Sequence, residues 1–358
     1  RALTTNQIVA LKPSQVVSIP TQSMAALDGD QIAAFTAAQV AYLTSSQMGS
    51  LTSDQIGALT TTQVTELKAA QLAAINTTAL AGFDSDQIAA FSAVQIGGLK
   101  TEQIAAFGTA QIAAIESQDI RGLTRQQVTA LRSDQVGGLT SDQVTAFNAT
   151  QLAALETEDL IALSTDNIAA LTTGQMAAFT SAQISNLTTD QIVALETEDL
   201  GMLKGTQIVA LESDQFAAMT TDQIQSLKPS QIAMIESQDL NALNTDQIQS
   251  LTSDQLPALT TYQFKNLATD SLVAFTTDQI QALNTKDVSV MTNAQLNKLT
   301  TDQISALRTS QIQALPTLGL AAMGTDQIVA FSSDQIAAFT GNHIRVLTTD
   351  QMHAFTTD

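Results

Sequence analysis

Residues 51–59 read LTSDQIGAL, and residues 331–339 read FSSDQIAAF. Variants of this phrase follow one another along the whole chain, and we write the repeating octad as T-x-D-Q-I-A-A-L, with positions one to eight. Position five falls on residues 8, 16, 24 and onward to 352, position eight falls on 3, 11, 19 and onward to 355, and every residue in both series is apolar. Gln holds position four in 33 of the 44 octads. The octad is therefore the unit that decides the fold.

The octad contains the signals of a complete helix start. Position one is usually Thr or Ser, which are preferred N-caps, and Gln three residues later completes a capping box. Asp at position three lies in the first turn, where the helix dipole favours negative charge. The apolar residues at positions eight and five match the two halves of a hydrophobic staple. Each octad thus predicts one short capped helix that ends at the Leu-Thr junction.

A single continuous helix and a β-solenoid both conflict with the period. Eight residues of α-helix would rotate the apolar pair by about 80° per octad, so no stable stripe would form. In a strand, positions five and eight would point to opposite faces, and Ala, Gln and Asp are poor strand formers. Because helices of about six residues are unstable alone, they must stack. We predict an all-α fold, a tight α-helical solenoid with nearest-neighbour stability.

The octads run without insertion or deletion, so we predict one uninterrupted domain over residues 1–358. Arg1-Ala2-Leu3 and Thr356-Thr357-Asp358 are partial octads, and we expect the chain to be an excerpt of a longer array without capping repeats. Four of the five prolines fall at positions one or two, where a helix tolerates them. Pro257 falls at position six, where we expect a local distortion. Glycines at positions six and seven suit a tight turn or close packing.

A variant octad with Glu at position one and Asp at position four recurs every 40 residues, from Glu116, Glu156, Glu196 and Glu236. The interval of five octads has two explanations, which are compatible with each other. Five octads are the unit in which the array was duplicated, or they complete a whole number of superhelical turns, which would stack these carboxylates in one stripe. The sequence leaves both open.

Composition narrows the function classes. Net charge is −20 with a pI near 4.1, which argues against nucleic acid and anionic membrane surfaces as partners, because binding to either requires basic patches. No apolar run approaches the length of a membrane span, and we predict no membrane insertion. The chain has no Cys, which excludes disulfides and thiol chemistry. The charge favours solubility of a long repetitive protein.

Few residues of the chain are candidates for a catalytic or metal-binding site. A catalytic site needs a singular arrangement, whereas this chain repeats itself, and we predict no enzyme activity and no catalytic residue. His343, at position four, and His353, at position six, have no partner set, so a capping or surface role is expected. The Glu-x-x-Asp octads are the better cation candidates, with calcium as the candidate ion, and capping is the alternative explanation. The candidate residues are Glu116, Asp119, Glu156, Asp159, Glu196, Asp199, Glu236 and Asp239.

The tandem phrases LTTDQIVAL, FTTDQIQAL and LTSDQVTAF resemble the arrays of very large repetitive bacterial surface and extracellular proteins, which are often labelled haem utilisation or adhesion proteins. The resemblance covers the whole chain. It implies secretion and a cell-surface or extracellular-matrix location. It transfers no haem-binding residue, since no His or Met recurs here in a ligand pattern.

Together these observations favour a structural extracellular protein, the rod or filament body of a bacterial surface assembly, as a stalk, matrix or adhesin spacer. Self-association end to end or side by side is expected of such chains. The alternative is a binding or adhesion module whose solenoid surface holds a partner or calcium.

Overall fold

The computed structural model describes residues 3–355, and the partial octads at Arg1-Ala2 and Thr356-Thr357-Asp358 lie outside the described residues. Two compact units make up the chain, Arg1–Asn186 and Leu187–Asp358. Within residues 3–355 every octad forms one short helix and no strand is present. The predicted all-α octad solenoid is confirmed in each unit.

The first unit contains helices α1 to α22 and one 3-10 helix, Ile120–Gly122. The α-helices are Thr5–Val9, Pro13–Val17, Thr21–Met24, Gly29–Ala33, Ala37–Val40, Ser45–Gly49, Ser53–Gly57, Thr61–Thr65, Ala69–Leu72, Thr77–Leu80, Ser85–Ala89, Ala93–Gly97, Thr101–Ala106, Thr109–Ala113, Arg125–Thr129, Ser133–Gly137, Ser141–Ala146, Ala149–Leu152, Thr157–Leu160, Thr165–Ala169, Thr173–Met176 and Ser181–Ser185.

The second unit contains helices α23 to α42 and one 3-10 helix, Leu256–Ala258. The α-helices are Thr189–Ala194, Thr197–Met202, Gly205–Ile208, Ser213–Ala218, Thr221–Ser226, Pro229–Ile232, Ser237–Leu240, Thr245–Ser250, Thr261–Lys265, Thr269–Val273, Thr277–Ala282, Thr285–Ser289, Asn293–Lys298, Thr301–Ala306, Thr309–Gln313, Thr317–Ala322, Thr325–Val329, Ser333–Ala337, Gly341–Val346 and Thr349–Ala354.

Most helices begin with the capping box that the octad predicts. In α17, the Thr140 hydroxyl accepts a bond from the Gln143 backbone N–H at 3.2 Å, and the Thr140 N–H donates to Gln143 Oε1 at 3.0 Å. Where Lys replaces Thr, as at Lys100, only the second bond remains, at 2.8 Å. Position one is therefore the N-cap and position two the first residue of the α-helices.

The helices end where positions eight and one are both extended. Phe107, at position eight, has φ −62° and ψ 143°, and Gly108, at position one of the next octad, has φ −74° and ψ 161°. Two successive extended residues break the α conformation and redirect the chain. This confirms the predicted kink at the Leu-Thr junction, and it needs no left-handed residue, since no positive φ occurs in the described residues.

The core is built from positions five and eight. Position-five side chains between Ile8 and Ile328 are at most 2% exposed, and position-eight side chains such as Phe91 and Leu283 are similarly buried. Position-eight aromatics of successive octads touch edge to face, as Phe83 and Phe91 do with ring centroids 5.1 Å apart. The core therefore runs continuously along the axis of each unit.

Helices pack against the helix three octads further on. Examples are α16 with α19 in the first unit and α35 with α38 in the second. One coil of the solenoid, meaning one circuit around its axis, thus takes about three and a half octads, because hydrogen bonds between neighbouring coils join residues 25 to 31 positions apart. A spacing of 40 residues lies between one coil and two. Within each unit the successive Glu-x-x-Asp octads are consequently not stacked on one another, which removes that explanation of their interval.

Glycine serves close packing between coils rather than turns. A Cβ at Gly82 would collide with the backbone of Ser53, and one at Gly122 would collide with the backbone of Ala93. At Gly49, a Cβ would lie 2.9 Å from the Ala74 carbonyl oxygen. The packing explanation for the glycines at positions six and seven is right, and the turn explanation is wrong, because none has a positive φ.

Pro257 produces the local change that its position predicts. Its octad forms the 3-10 helix Leu256–Ala258 instead of an α-helix. Proline has no N–H to continue an α-helical ladder and its ring crowds the preceding turn. The core and the cap survive, since Leu256 is 1% exposed and the Thr252 N–H still donates to Gln255 Oε1 at 2.9 Å.

Candidate functional site

Position four is the most constrained polar position of the octad. Its Gln side chain completes the capping box with Oε1 and points into the interior with Nε2. Gln143, 1% exposed, donates from Nε2 to the carbonyls of Ile112 and Ile115 at 2.8 and 2.7 Å. These carbonyls lie four octads earlier, at the C-terminal end of another helix. One side chain therefore satisfies the start of its own helix and the end of a helix in the neighbouring coil.

The same bonds recur along both units, and we call this series the glutamine ladder. It joins position four to positions five and eight of the octad four places earlier, as for Gln39, Gln135 and Gln183 in the first unit and for Gln223, Gln263 and Gln311 in the second. Buried carbonyls without a donor would cost about 1–3 kcal/mol each. The ladder is thus the main polar link between coils.

Two substitutions retain part of the ladder. His343 is 2% exposed; its Nδ1 accepts from the Thr340 N–H at 3.2 Å, and its Nε2 lies 3.0 Å from the Leu315 carbonyl. Donation to that carbonyl requires the tautomer with hydrogen on Nε2. Asn167 donates from Nδ2 to the Leu139 carbonyl at 3.0 Å. His343 has the expected capping role, and it is buried; His353 is exposed.

Aspartate at position four cannot donate from an ionised carboxylate, and its shorter side chain finds other partners. Asp119 Oδ1 accepts from the Ala93 N–H at 2.6 Å. Asp159 and Asp239 each accept at 2.6 Å from a serine hydroxyl 26 residues earlier, that of Ser133 and of Ser213. These octads therefore replace a bond to a carbonyl with a bond to a donor in the coil before.

Three of the position-four aspartates are buried and have a raised pKa. Burial raises the pKa of Asp199 to about 6, and the negative charges of Glu196 and Glu198 add to the effect. Burial also raises the pKa of Asp239, although the hydrogen bond from the Ser213 hydroxyl has the opposite, smaller effect. Asp287 was not among the candidates from sequence, yet burial raises its pKa to about 6 as well. The environment of position four disfavours negative charge.

The glutamates of the same octads lie in a different environment. Glu116, Glu156, Glu196 and Glu236 are exposed, and the last three, as N-caps, make no side-chain capping bond. Their aspartate partners are buried or half-buried, so the two carboxylates of one octad do not share a solvent-facing surface. Within residues 3–355, no three His, Cys, Asp or Glu residues are close enough to hold a metal ion together. Calcium at these octads stays a prediction.

Sequence reasoning found the candidate octads and the cap, but it missed the ladder. The signal was present: Gln, and not Glu, occupies position four, although both complete a capping box. Only the amide has a second, donating end. The sequence alone did not identify the acceptors of this amide, since the period of eight does not show that the contact is made with the octad four places earlier.

The outer surface carries the acidic charge. Asp at position three lies exposed in the first turn of many helices. Two exposed salt bridges join Lys100 to Glu102 at 3.9 Å and Arg132 to Asp134 at 2.9 Å. Arg132 lowers the pKa of the exposed Asp134. No helix among residues 3–355 combines the length and the apolar character that crossing a membrane requires.

Comparison with protein families matches the ALTTAQ repeat along most of the chain. The chain belongs to the ALTTAQ repeat family. The matched segments are residues 16–53, 24–61, 64–101, 112–149, 152–189, 192–229, 232–269, 282–317 and 312–341. No curated protein matches the chain.

The family matches also bear on the 40-residue interval. Four successive matches begin at residues 112, 152, 192 and 232, each four residues before a Glu-x-x-Asp octad. The interval therefore equals the spacing of these four successive matches. This favours duplication in blocks of five octads as the explanation of the recurring aspartates.

Proposed function

We propose that the chain is structural, the load-carrying body of a secreted bacterial stalk, matrix or adhesin spacer. One observation carries the proposal: within each unit, the glutamine ladder gives successive octads the same bonds to the octad four places earlier. An array of this kind adds length without changing its contacts, and stability accumulates through nearest neighbours. The exposed acidic positions limit aggregation of the resulting assembly.

We further propose that the chains associate end to end or side by side into filaments. The support is chemical: the donors at position four and the acceptors at positions five and eight recur along the array, so a second copy offers the same complementary groups. Such head-to-tail contacts generate open filaments when the rotation does not close. Sedimentation velocity over a hundred-fold concentration range tests this, and a single unchanging species would contradict it.

Immunogold electron microscopy tests the structural role. Antibodies raised against the chain are applied to intact and to permeabilised cells that make the full-length protein. We expect gold on intact cells, arranged along rods or fibres of uniform width, while an antibody to a cytosolic protein labels only permeabilised cells. Label that requires permeabilisation would contradict secretion, and label on compact globules would contradict the structural role.

A further inference from the structure

Asp287 is a buried position-four aspartate whose carboxyl group finds no hydrogen-bond partner in the neighbouring coil. The side chain is 1% exposed, and neither Oδ1 nor Oδ2 makes a hydrogen bond of normal geometry among the described residues, although the backbone amide of its own N-cap, Asn284, favours the ionised form. A buried polar group without a partner is costly, and a buried charge more so. Burial without such a bond therefore disfavours the ionised carboxylate at this position.

The ladder on both sides of Asp287 indicates which carbonyls correspond to its position. Gln279 donates to the carbonyls of Ile248 and Leu251, and Gln295 donates to those of Phe264 and Leu267. The same register assigns the carbonyls of Leu256 and Leu259 to position 287. No glutamine amide reaches them, because Asp stands at this position. An ionised carboxylate offers only acceptors to these acceptors, whereas a neutral carboxyl group has one O–H to donate.

The hydroxyl bond made by other aspartates is also absent here. Asp159 and Asp239 bond to a serine hydroxyl 26 residues earlier. At the corresponding position before Asp287 stands Thr261, and no bond joins the two side chains. Asp287 is thus left with neither the carbonyl contact of Gln nor the hydroxyl contact of its relatives.

The charged groups around helix α34 do not neutralise the carboxylate. On α34 itself, Lys286 lies next in sequence and favours the ionised form, as does the backbone amide of Asn284. The neighbouring helices contribute Tyr262 and Lys265 from α31 and Arg308 at the N-cap of α37, and the octad of Leu256 contributes Asp254. None forms a salt bridge with Asp287 within residues 3–355.

We infer that Asp287 is a proton-binding site of the array: its neutral carboxyl group, with the O–H directed at the Leu259 carbonyl, takes the place of the glutamine amide, and its ionisation weakens the link between coils at helix α34. The raised pKa, about 6, agrees with this assignment. The step consists of gain or loss of one proton and requires no co-reactant.

The direction of the pH effect follows from linkage. A carboxyl group whose pKa is raised on folding binds its proton more tightly in the folded state. Local stability at α34 therefore falls as pH rises from the unfolded pKa, 3.8, to the folded pKa, about 6, and stays at the lower level above it. The contribution of Asp287 to the link is therefore greatest at and below the unfolded pKa, 3.8, and smallest above the folded pKa, about 6.

Amide hydrogen exchange of the full chain, measured by mass spectrometry on peptides that cover residues 280–291, tests the inference. Wild type is compared with D287N and D287Q at the same pH, which cancels the intrinsic pH dependence of exchange. Asn donates to the ladder carbonyl without titrating, as Asn167 does. We expect protection in both variants relative to wild type to rise about ten-fold between pH 5 and pH 7. A ratio constant within about two-fold over this range overturns the inference.

A variant at residue 261 provides an independent test if both substitutions at residue 287 disturb folding. T261S removes the methyl group of Thr261 and leaves a serine hydroxyl at the position from which Ser213 donates to Asp239. A bond from this less hindered hydroxyl to Asp287 should make the pH dependence at α34 smaller than in wild type. An unchanged pH dependence in T261S would count against the proton assignment. Calcium chloride at 5 mM is the probe for the remaining alternative. If it restores protection of wild type at pH 7 and leaves D287N unchanged, the site is a cation site and the proton assignment is wrong.

Discussion

At the scale of single residues, the fold depends on an amide that performs two tasks with its two ends. Oε1 of the position-four Gln caps its own helix, and Nε2 ties that helix to carbonyls in the neighbouring coil. Helices this short do not persist alone. Most of their backbone groups belong to a terminal turn and need partners from outside the helix. A single buried residue type supplies such partners at both ends.

Two glutamines allow the capping role of Oε1 and the ladder role of Nε2 to be measured separately. Gln143 makes the cap and the ladder bonds, whereas Gln7 makes the cap bonds with Thr4 and is exposed. Q143L should lower the free energy of unfolding by about 2–4 kcal/mol, because it leaves the Ile115 carbonyl without a donor, removes one of two donors from the Ile112 carbonyl and also removes the cap bond. Q7L, which removes the capping contact alone, should cost about 1 kcal/mol or less.

Urea denaturation followed by far-ultraviolet circular dichroism measures both variants. Equal losses for Q143L and Q7L would show that the amide acts through the cap alone. H343Q provides a further check, since it restores the common residue where His already bonds to Thr340 and Leu315. It should be neutral or stabilising.

The residue scale also shows what the sequence could and could not reveal. The cap, the staple residues and the distortion at Pro257 are local, so their spacing within one octad predicts them. Asp287 illustrates the other case. Its octad reads NTKDVSVM and has a capping Asn, and nothing within those eight residues shows that the ladder register assigns the carbonyls of residues 256 and 259 to its position. Contacts across coils depend on how many octads complete one circuit, which the period alone does not fix.

At the scale of helices, the closeness of neighbouring coils selects small residues at positions six and seven. Gly82 lies against the backbone of Ser53, and Gly57 lies against the Gly82 carbonyl, so α7 and the end of α10 approach with almost no side chain between them. Gly97, Gly122 and Ala93 repeat the arrangement. Glycine destabilises a helix relative to alanine, and the close contact between the two backbones offsets that loss here.

The second prediction uses this contact. G82A adds a methyl group that would collide with the Ser53 backbone, so α7 and α10 must move apart, and we expect a loss of about 1–3 kcal/mol, as for overpacking. G174A is the matched control, since a Cβ at Gly174 meets nothing within 4 Å and the residue lies in helix α21. G174A should be stabilising by up to about 1 kcal/mol.

Thermal unfolding of the two variants, each against wild type, provides the measurement. A melting temperature lowered in G82A and raised or unchanged in G174A supports backbone contact as the reason for glycine. If G82A melts like wild type, the two helices have room for a side chain, and the close approach is not a requirement of the fold.

At the scale of the whole molecule, a unit is held together by the register between octads. The exact sequence of each octad matters less, because each ladder glutamine reaches the octad four places earlier. The 40-residue family interval, five octads, preserves this register when a block is duplicated. Any insertion that is not a multiple of eight would move position four away from its carbonyls over a full coil.

The last prediction tests register directly in the second unit, with two deletions that differ by one residue. Deleting residues 220–227, which read TTDQIQSL, removes one whole octad. Met219 then precedes Lys228, so position eight is still followed by position one. The glutamines after the junction, from Gln231 onward, again find carbonyls at positions five and eight four octads before them. We expect native helical content and cooperative unfolding.

Deleting residues 221–227 instead removes seven residues and leaves position four one residue out of step with every acceptor across the junction. Gln231 and Gln247 donate to residues before that junction, and Gln255, whose wild-type acceptors lie in the deleted segment, must also reach across it in the deletion variants. Their links then fail together, at roughly 2 kcal/mol or more each. Circular dichroism and urea denaturation compare the two deletions. Because the two variants lose nearly the same apolar surface, equal stability of both would mean that the coils are held by apolar burial without the ladder.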